Sequence, residues 1–264
     1  MNNENTWLQQ QSLADQYAAH TRSLRGAVRQ ALVTRALLKH LPPAPQSILD
    51  IGGGNGRQAV ALAAHGHHVI ILDPDLDMFK RAVKAWKAAA PNAPVPGGSV
   101  DYRHGTGEEA RERAGGGFNA TLCHGVLMYV PDPEPLLNAM VSCTAPGGLV
   151  SVLGKNADAL AMRPALEGNV EAALAVLDAD SETGRLGVTS RAHRPADIQE
   201  LLGYAGVDHL AWYGVRTFTD HLGDTAPGED LDRWCELEWQ AGSRTNYRAV
   251  ARLFHLLGHR KQQS

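Results

Sequence analysis

The stretch Ile48–Gly56, "ILDIGGGNG", sets four glycines beside one carboxylate, Asp50, at the end of a short apolar run. Such a run reads as a buried strand, and the segment after it, "RQAVALAAHG", reads as a helix. Gly52, Gly53, Gly54 and Gly56 therefore fall where the chain turns sharply from strand to helix. Glycine lacks the Cβ that bars unusual backbone angles and keeps a ligand off the main chain. The helix start behind it offers free N–H groups. A second apolar strand, "HVIILD", ends in Asp73, 17 residues beyond Gly56, and Pro74 follows. A carboxylate at that place accepts both hydroxyls of a ribose laid across the strand tips.

The alternation continues with "MFKRAVKAWKAAAP", "VDYRH", "NATLCHGVL", "PEPLLNAMVSCTAPGG" and "LVSVLGK". Short β-rich runs separated by helical ones predict an α/β fold with a parallel, doubly wound, Rossmann-like sheet. "APGG" reads as a helix-ending turn that feeds the strand "LVSVLG". After Lys155 the alternation stops, and residues 157–180 look helical. Helical periodicity also runs over residues 12–40. The expected divisions are a helical cap over 1–45, a ligand-binding core over 46–156, and a helical insertion over 157–190 that caps an acceptor. Residues 191–264 complete the sheet, with "HLAWYGVRTF" as a strand and "VARLFHLLGH" open to strand or helix.

Two ligands fit the glycine turn. Gly54, Gly56, Ala59 and Asp73 satisfy a dinucleotide pattern, which keeps an NAD-dependent oxidoreductase open as an alternative. Asp50 argues against a pyrophosphate, whose two negative charges it repels. S-adenosyl-L-methionine carries a sulfonium and an ammonium, and the same carboxylate attracts both. The net charge of −3 gives no global attraction to nucleic acid or membrane. No apolar run approaches the roughly 20 residues needed to span a bilayer, and the polar amino terminus is unlike a signal peptide. Three widely spaced cysteines and twelve histidines form no metal-ligand pattern, so no metal is expected. The expected location is the cytoplasm, with no membrane partner; a homodimer is compatible with the sequence.

Asp50-x-Gly52-x-Gly54-x-Gly56, Asp73 and "PGGLVSVL" together resemble the motifs of class I S-adenosylmethionine-dependent methyltransferases. A longer likeness runs through "GAVRQAL", "LCHGVLMYVPDPEPLL", "YGVRTFTDHL" and "CELEWQAGSRTNYRAVARLFHLLGHR". In order and spacing these segments are similar to the tRNA 5-carboxymethoxyuridine carboxyl-methyltransferases. The resemblance implies a seven-stranded, mostly parallel sheet whose last, antiparallel strand is "RLFHLLGH". It also implies donor contacts from Arg29 and His124, and an adenine clamp from Thr106, Gly107 and Glu108. The family's lysine-rich segment after strand five is replaced here by "EGNVEAALAVLDADSETGRLGVTSRAHR", acidic in its first half. That favours a small anionic metabolite over tRNA as the acceptor.

Methyl transfer is an in-line displacement at a carbon activated by positive sulfur, so alignment and water exclusion are the protein's tasks. A carboxylate acceptor is already ionised at neutral pH and needs no base. It needs a cation, and arginine supplies two parallel hydrogen bonds. Arg216 in "YGVRTF" is the candidate anchor, ahead of Arg191 and Arg194. Strand alternation sets Tyr213 on the face opposite Arg216. His124 is the candidate base for a hydroxyl acceptor, and Asn156 a candidate hydrogen-bond donor to the acceptor. Met128 and Tyr129 are candidate lining residues, and Trp7 and Tyr17 candidates for closing the helical cap.

Overall fold

The structure, a computed structural model, describes residues 22–183 and 189–262. Trp7, Tyr17 and Arg185 lie outside the described residues. Among the described residues no helix is long and apolar enough to cross a membrane.

The first half follows the predicted alternation closely. It runs α1 (Leu24–His40), β1 (Ser47–Ile51), α2 (Arg57–Ala63), β2 (His68–Asp73), α3 (Leu76–Ala89), β3 (Ser99–His104) and α4 (Ala110–Ala114). Then come β4 (Phe118–His124), α5 (Glu134–Cys143) and β5 (Thr144–Lys155). The helical insertion supplies α6 (Met162–Leu166) and α7 (Val170–Val176), followed by a small hairpin, β6 (Ser181–Thr183) and β7 (Thr189–Arg191). The chain ends in α8 (Pro195–Tyr204), β8 (Val207–Val215), α9 (Leu231–Gly242), α10 (Thr245–Arg248) and β9 (Leu253–Arg260).

Seven strands form one sheet in the order β3-β2-β1-β4-β5-β9-β8. The pairs β1–β2, β1–β4, β2–β3 and β4–β5 are parallel. β9 runs against β5: His259 bonds to Gly147, His255 to Ser151, and Asn156 to Arg252, so the partners descend as β5 ascends. "RLFHLLGH" is thus the antiparallel strand implied by the resemblance. Ile48, Leu49, Ile51, Ile71, Leu72 and Leu122 are buried to within about one percent on β1, β2 and β4. Burying each is worth about 1.5–3 kcal/mol, which fixes the strand ends from which the glycine turn departs.

The expectation for "APGG" needs correcting. Strand β5 already begins at Thr144, which pairs with Phe118, and the next pair is Ala120 with Leu149. Two residues on β4 are thus matched by five on β5, so the segment is a bulge within the strand rather than a turn before it. Gly147, at φ 75°, supplies the left-handed step, and Gly148 lies too close to Thr144 and the Asn119 carbonyl for a larger side chain.

The chain divides into two compact units that interleave in sequence rather than following the expected contiguous boundaries. One contains Thr34–Gly154, Pro195–Trp212 and the chain from His255 onward. The other contains the chain up to Val33, Lys155–Arg194 and Tyr213–Phe254. In this second unit the loop after β8 is pinned by Glu238 of α9, a fully buried carboxylate. It accepts the backbone N–H groups of Thr217, Phe218 and Thr219 at 2.7–3.0 Å and the Thr219 hydroxyl at 2.7 Å. Hydrogen bonds to a charged acceptor contribute roughly 1.5–3 kcal/mol each. Glu238→Gln, which keeps the shape but removes the charge, is expected to cost about 2 kcal/mol or more in denaturant unfolding; an unchanged midpoint would show the carboxylate to be dispensable.

Candidate functional site

The glycine turn leaves β1 with three residues in left-handed geometry, Gly52 at φ 67°, Gly54 at 54° and Gly56 at 75°. Gly54 is the informative one: nothing lies within 4 Å of where its Cβ would stand, so its backbone faces open space. Gly53 is constrained by the opposite condition, since an added Cβ would lie 2.7 Å from the Asp50 carboxylate and 3.0 Å from Ile71. Gly52 donates to the Leu72 carbonyl at 2.7 Å, and Gly56 to the Gly53 carbonyl at 3.0 Å. No side chain caps the start of α2 at Gly56. The turn is therefore a cradle of main chain, held from below and bare above.

Carboxylates gather around it. Asp50 is buried at the end of β1. Asp73, buried at the end of β2, accepts the Gly54 N–H at 2.9 Å through one oxygen and the Asp75 N–H at 2.9 Å through the other. Burial pushes the Asp73 carboxyl upward, and those two hydrogen bonds pull it back. Pro74 stands half-buried between Asp73 and Asp75, and Asp75 caps α3 by accepting the N–H groups of Asp77 and Met78. Glu108 is exposed in the loop after β3. Asp50 and Glu108 both reinforce the effect of burial in raising the Cys123 thiol. The two acids thus impose a negative potential on the strand tips, the sign a sulfonium needs.

The loop after β3 is set by fit. A Cβ on Gly107 would lie 2.2 Å from Leu136 and 3.0 Å from Ile51, so only glycine lets this loop close down on β1 and α5. Thr106 donates its N–H to Glu109 at 2.9 Å. Sequence reasoning missed Glu109, and also Tyr102, whose hydroxyl donates to the Asp73 carbonyl while its ring stacks on Phe79 at 4.3 Å. Burial, with Asp73 and Asp75 nearby, pushes the Tyr102 phenol up to about 12. Alternation along "VDYRH" puts Tyr102 on a definite face, but nothing in the motif reveals that it steadies its neighbour's carboxylate residue.

His124, at the end of β4, shares a hydrogen bond through Nε2 with the Ser151 hydroxyl at 2.8 Å. Ser151 shares a second with His255 Nε2 at 2.7 Å, and the two imidazoles meet edge to face at 5.3 Å. The ring named from sequence as a donor contact or base is thus one end of a polar chain crossing β4, β5 and β9. Leu127–Tyr129 form a single tight turn beyond it, with Met128 half-buried and Tyr129 exposed.

The remaining candidates belong to the second unit. Arg29 lies half-buried on α1. Asn156 corrects its expected role: its Nδ2 donates to the carbonyls of Ala249 and Ala251 at 2.9 and 3.0 Å, and its Oδ1 accepts the Asp158 N–H at 3.1 Å. Fully buried and saturated in this way, the side chain joins backbone segments and has no group left for an acceptor. Arg191 is exposed, and Arg194 bridges Asp158 at 3.3 Å on the surface.

Arg216 sits just beyond the last residue of β8 with φ 64°, while Tyr213 stacks on Trp239 at 4.9 Å. The guanidinium of Arg216 is buried and bonds to Asp220. Asp220 also faces Arg163 at 3.8 Å and Arg252 at 3.6 Å, and both arginines reach Glu182, as does Lys155 at 3.0 Å. Lys155, Arg163, Arg252, Glu182 and Asp220 went unread in the sequence, where nothing shows that such distant charges converge. Burial first, then Arg252, Arg163 and Arg216, push the Lys155 ammonium down to about 7 from 10.5, against Asp220. Between those values the unfolded chain holds a proton that the folded chain has released, so stability rises with pH across that window. Denaturant unfolding at pH 7 and pH 9 is expected to show this rise, by up to about 1.4 kcal/mol per pH unit, and Lys155→Met to flatten it. An equal rise in the variant would assign it elsewhere.

Comparison with known proteins agrees with this geometry. A family model described as a methyltransferase domain matches residues 49–152, which hold the glycine turn, Asp73 and the loop after β3. The chain is 27% identical over 242 residues to the tRNA 5-carboxymethoxyuridine methyltransferase of Escherichia coli K12, covering 90% of each. It is 32% identical over 123 residues to a ubiquinone biosynthesis O-methyltransferase of Chromobacterium violaceum, covering 46% of this chain and 50% of that one. Among solved structures, a SAM-dependent methyltransferase from Methanosarcina mazei superposes with a TM-score of 0.58 at 14% identity, over 86% of this chain and 98% of its own. Magnesium protoporphyrin IX methyltransferase from Synechocystis PCC 6803, solved with bound SAM, gives 0.53 at 13% identity, over 99% and 87%. The nicotinamide alternative gives way on the domain match. Residues 49–152 match a methyltransferase domain and the sheet has the class I methyltransferase fold; the chain is an S-adenosylmethionine-dependent methyltransferase.

Proposed function

We propose that the chain transfers the methyl group of S-adenosylmethionine to a carboxylate oxygen of an anionic acceptor. The residues around the glycine turn fit the donor: a bare backbone at Gly54, a ribose-competent carboxylate at Asp73, and the negative potential of Asp50 and Glu108. Asp50 and Glu108 favour the donor's positive groups, Asp73 its ribose hydroxyls, and Thr106 and Gly107 its base; His124 adds a contact. The donor supplies an electrophilic methyl on positive sulfur. A carboxylate acceptor meets it as an anion, so the chain needs no base and His124 serves binding and orientation. Arg216, the cation chosen from sequence to anchor the acceptor, is already paired with Asp220.

The observation that carries the carboxylate reading is the likeness to the tRNA 5-carboxymethoxyuridine methyltransferase over 90% of both chains. The O-methyltransferase relative spans only about half of this chain. That likeness supports a modified wobble uridine as the carrier of the carboxylate. The second reading, a free anionic metabolite, is favoured by the acidic first half of residues 167–194, which suits a phosphate backbone poorly.

Calorimetry with S-adenosylhomocysteine is expected to give a dissociation constant near 1 µM, about −8 kcal/mol, and NAD no heat. Asp73→Ala should weaken that binding tenfold or more, since each hydroxyl bond to a charged acceptor is worth about 1.5–3 kcal/mol; unchanged affinity would place the ribose elsewhere. For the acceptor, labelled methyl is followed into bulk tRNA and into a small-molecule extract. Base-labile label in tRNA supports the uridine carboxylate, base-labile label in the extract the metabolite, and base-stable label in either overturns ester formation.

A further inference from the structure

In one cluster of the second unit, cations outnumber the carboxylates they meet directly. Lys155, Arg163, Arg216 and Arg252 converge on two carboxylates, Glu182 and Asp220. Arg252 is 5% exposed and Arg163 16%. Arg25 faces the same group and pairs with Asp224 at 2.7 Å. Even with Lys155 neutral, three guanidiniums meet two carboxylates within 4 Å, and Glu167 acts on Arg252 only from further out. Removing a charge from water without compensation costs several kcal/mol, so an excess of this kind calls for a counter-ion.

A second observation points to where it goes. Arg252 gives one nitrogen to Glu182 and sets Nε 3.6 Å from Asp220, but its Nη1 is buried with no hydrogen-bond partner among the described residues. A buried guanidinium N–H left unmade is rare and expensive. Glu182 shows what chemistry the cluster accepts: its carboxylate touches Lys155 and Arg252 through one oxygen and lies 3.5 Å from Arg163 through the other. It comes from the small hairpin, whereas the cations come from β5, α6, the loop after β8 and the residue before β9.

We propose that Arg252, Arg163 and Lys155 form an oxyanion site that takes a carboxylate or phosphate group of a ligand, with Glu182 as its resident competitor. The ligand's oxyanion pairs with the Arg252 and Arg163 forks, which match its planar geometry, and it restores charge balance. The inference deepens the acceptor reading above by naming the residues that receive the acceptor's anionic group. Arg216, the anchor chosen from sequence, is already bonded to Asp220 and holds that acid in the cluster.

The test uses the full chain without methyl donor. Thermal unfolding is followed at constant ionic strength while chloride is replaced by malonate or by phosphate. A saturable rise in melting temperature with either anion, absent in chloride, is expected; malonate alone would mark a carboxylate site and phosphate alone a phosphate site. Arg163→Met, the least buried of the set, and Arg252→Lys should each weaken the fitted affinity at least tenfold, and Glu182→Gln should tighten it. No saturable response, or affinities unchanged in the three variants, would overturn the site. S-adenosylhomocysteine titration of the same samples keeps the readings apart: intact donor binding without anion binding sinks this inference alone.

Discussion

One hydrogen bond ties together the ends of the two central strands: the Gly54 N–H, on the turn after β1, donates to the Asp73 carboxylate at the tip of β2. It can form because the parallel register sets Ile51 beside Leu72 and so brings the two tips level. It requires glycine at the turn, since the left-handed backbone that aims that N–H inward is costly for residues with a Cβ. Asp73 is in turn held by the Asp75 N–H, and its carbonyl by Tyr102. Asp73 is thus held in place by the fold itself, the preorganisation that a reaction resting mostly on alignment calls for.

Much of the first half was legible because its signals are local. Apolar runs, helical periods and glycine positions each depend on a few adjacent residues, and all the strands up to β5 fell where alternation put them. The "APGG" error shows the limit. The four residues carry turn chemistry, but whether that turn precedes a strand or bulges out of it depends on pairing with β4, which is not written in the segment. Periodicity alone left the last strand undecided; "VARLFHLLGH" lacks alternation because Leu253–Gly258 of β9 are buried on both faces. Its direction came only through resemblance.

The acceptor side was legible in chemistry and illegible in detail. Arg216 was expected to anchor the acceptor's carboxylate; it is buried, and Asp220, four residues on, takes its guanidinium. Asn156, read as a ligand contact, is consumed by three backbone bonds, two of them to residues more than ninety positions away. Glu238 carries no motif that announces its loop-pinning role. Each of these depends on contacts distant in sequence, and a single chain gives no sign of which distant charges will meet.

The interleaving of the two units bears on how the molecule is made. Arg25 bonds to Asp224 across 199 residues and to the Asp220 carbonyl across 195. These contacts cannot exist until nearly the whole polypeptide has left the ribosome. Closing loops of that size is a slow entropic search compared with forming a local hairpin or helix. Meanwhile the residues up to Val33 wait with their buried surfaces uncovered, among them Leu24, Val28 and Leu32. Exposed apolar surface of this kind invites chaperone capture or association during synthesis. Circular permutation that opens the chain in the turn before β8 would cut the separation of Arg25 and Asp224 from 199 residues to 65 (264 − 199), trading a late, long-range closure for an earlier one.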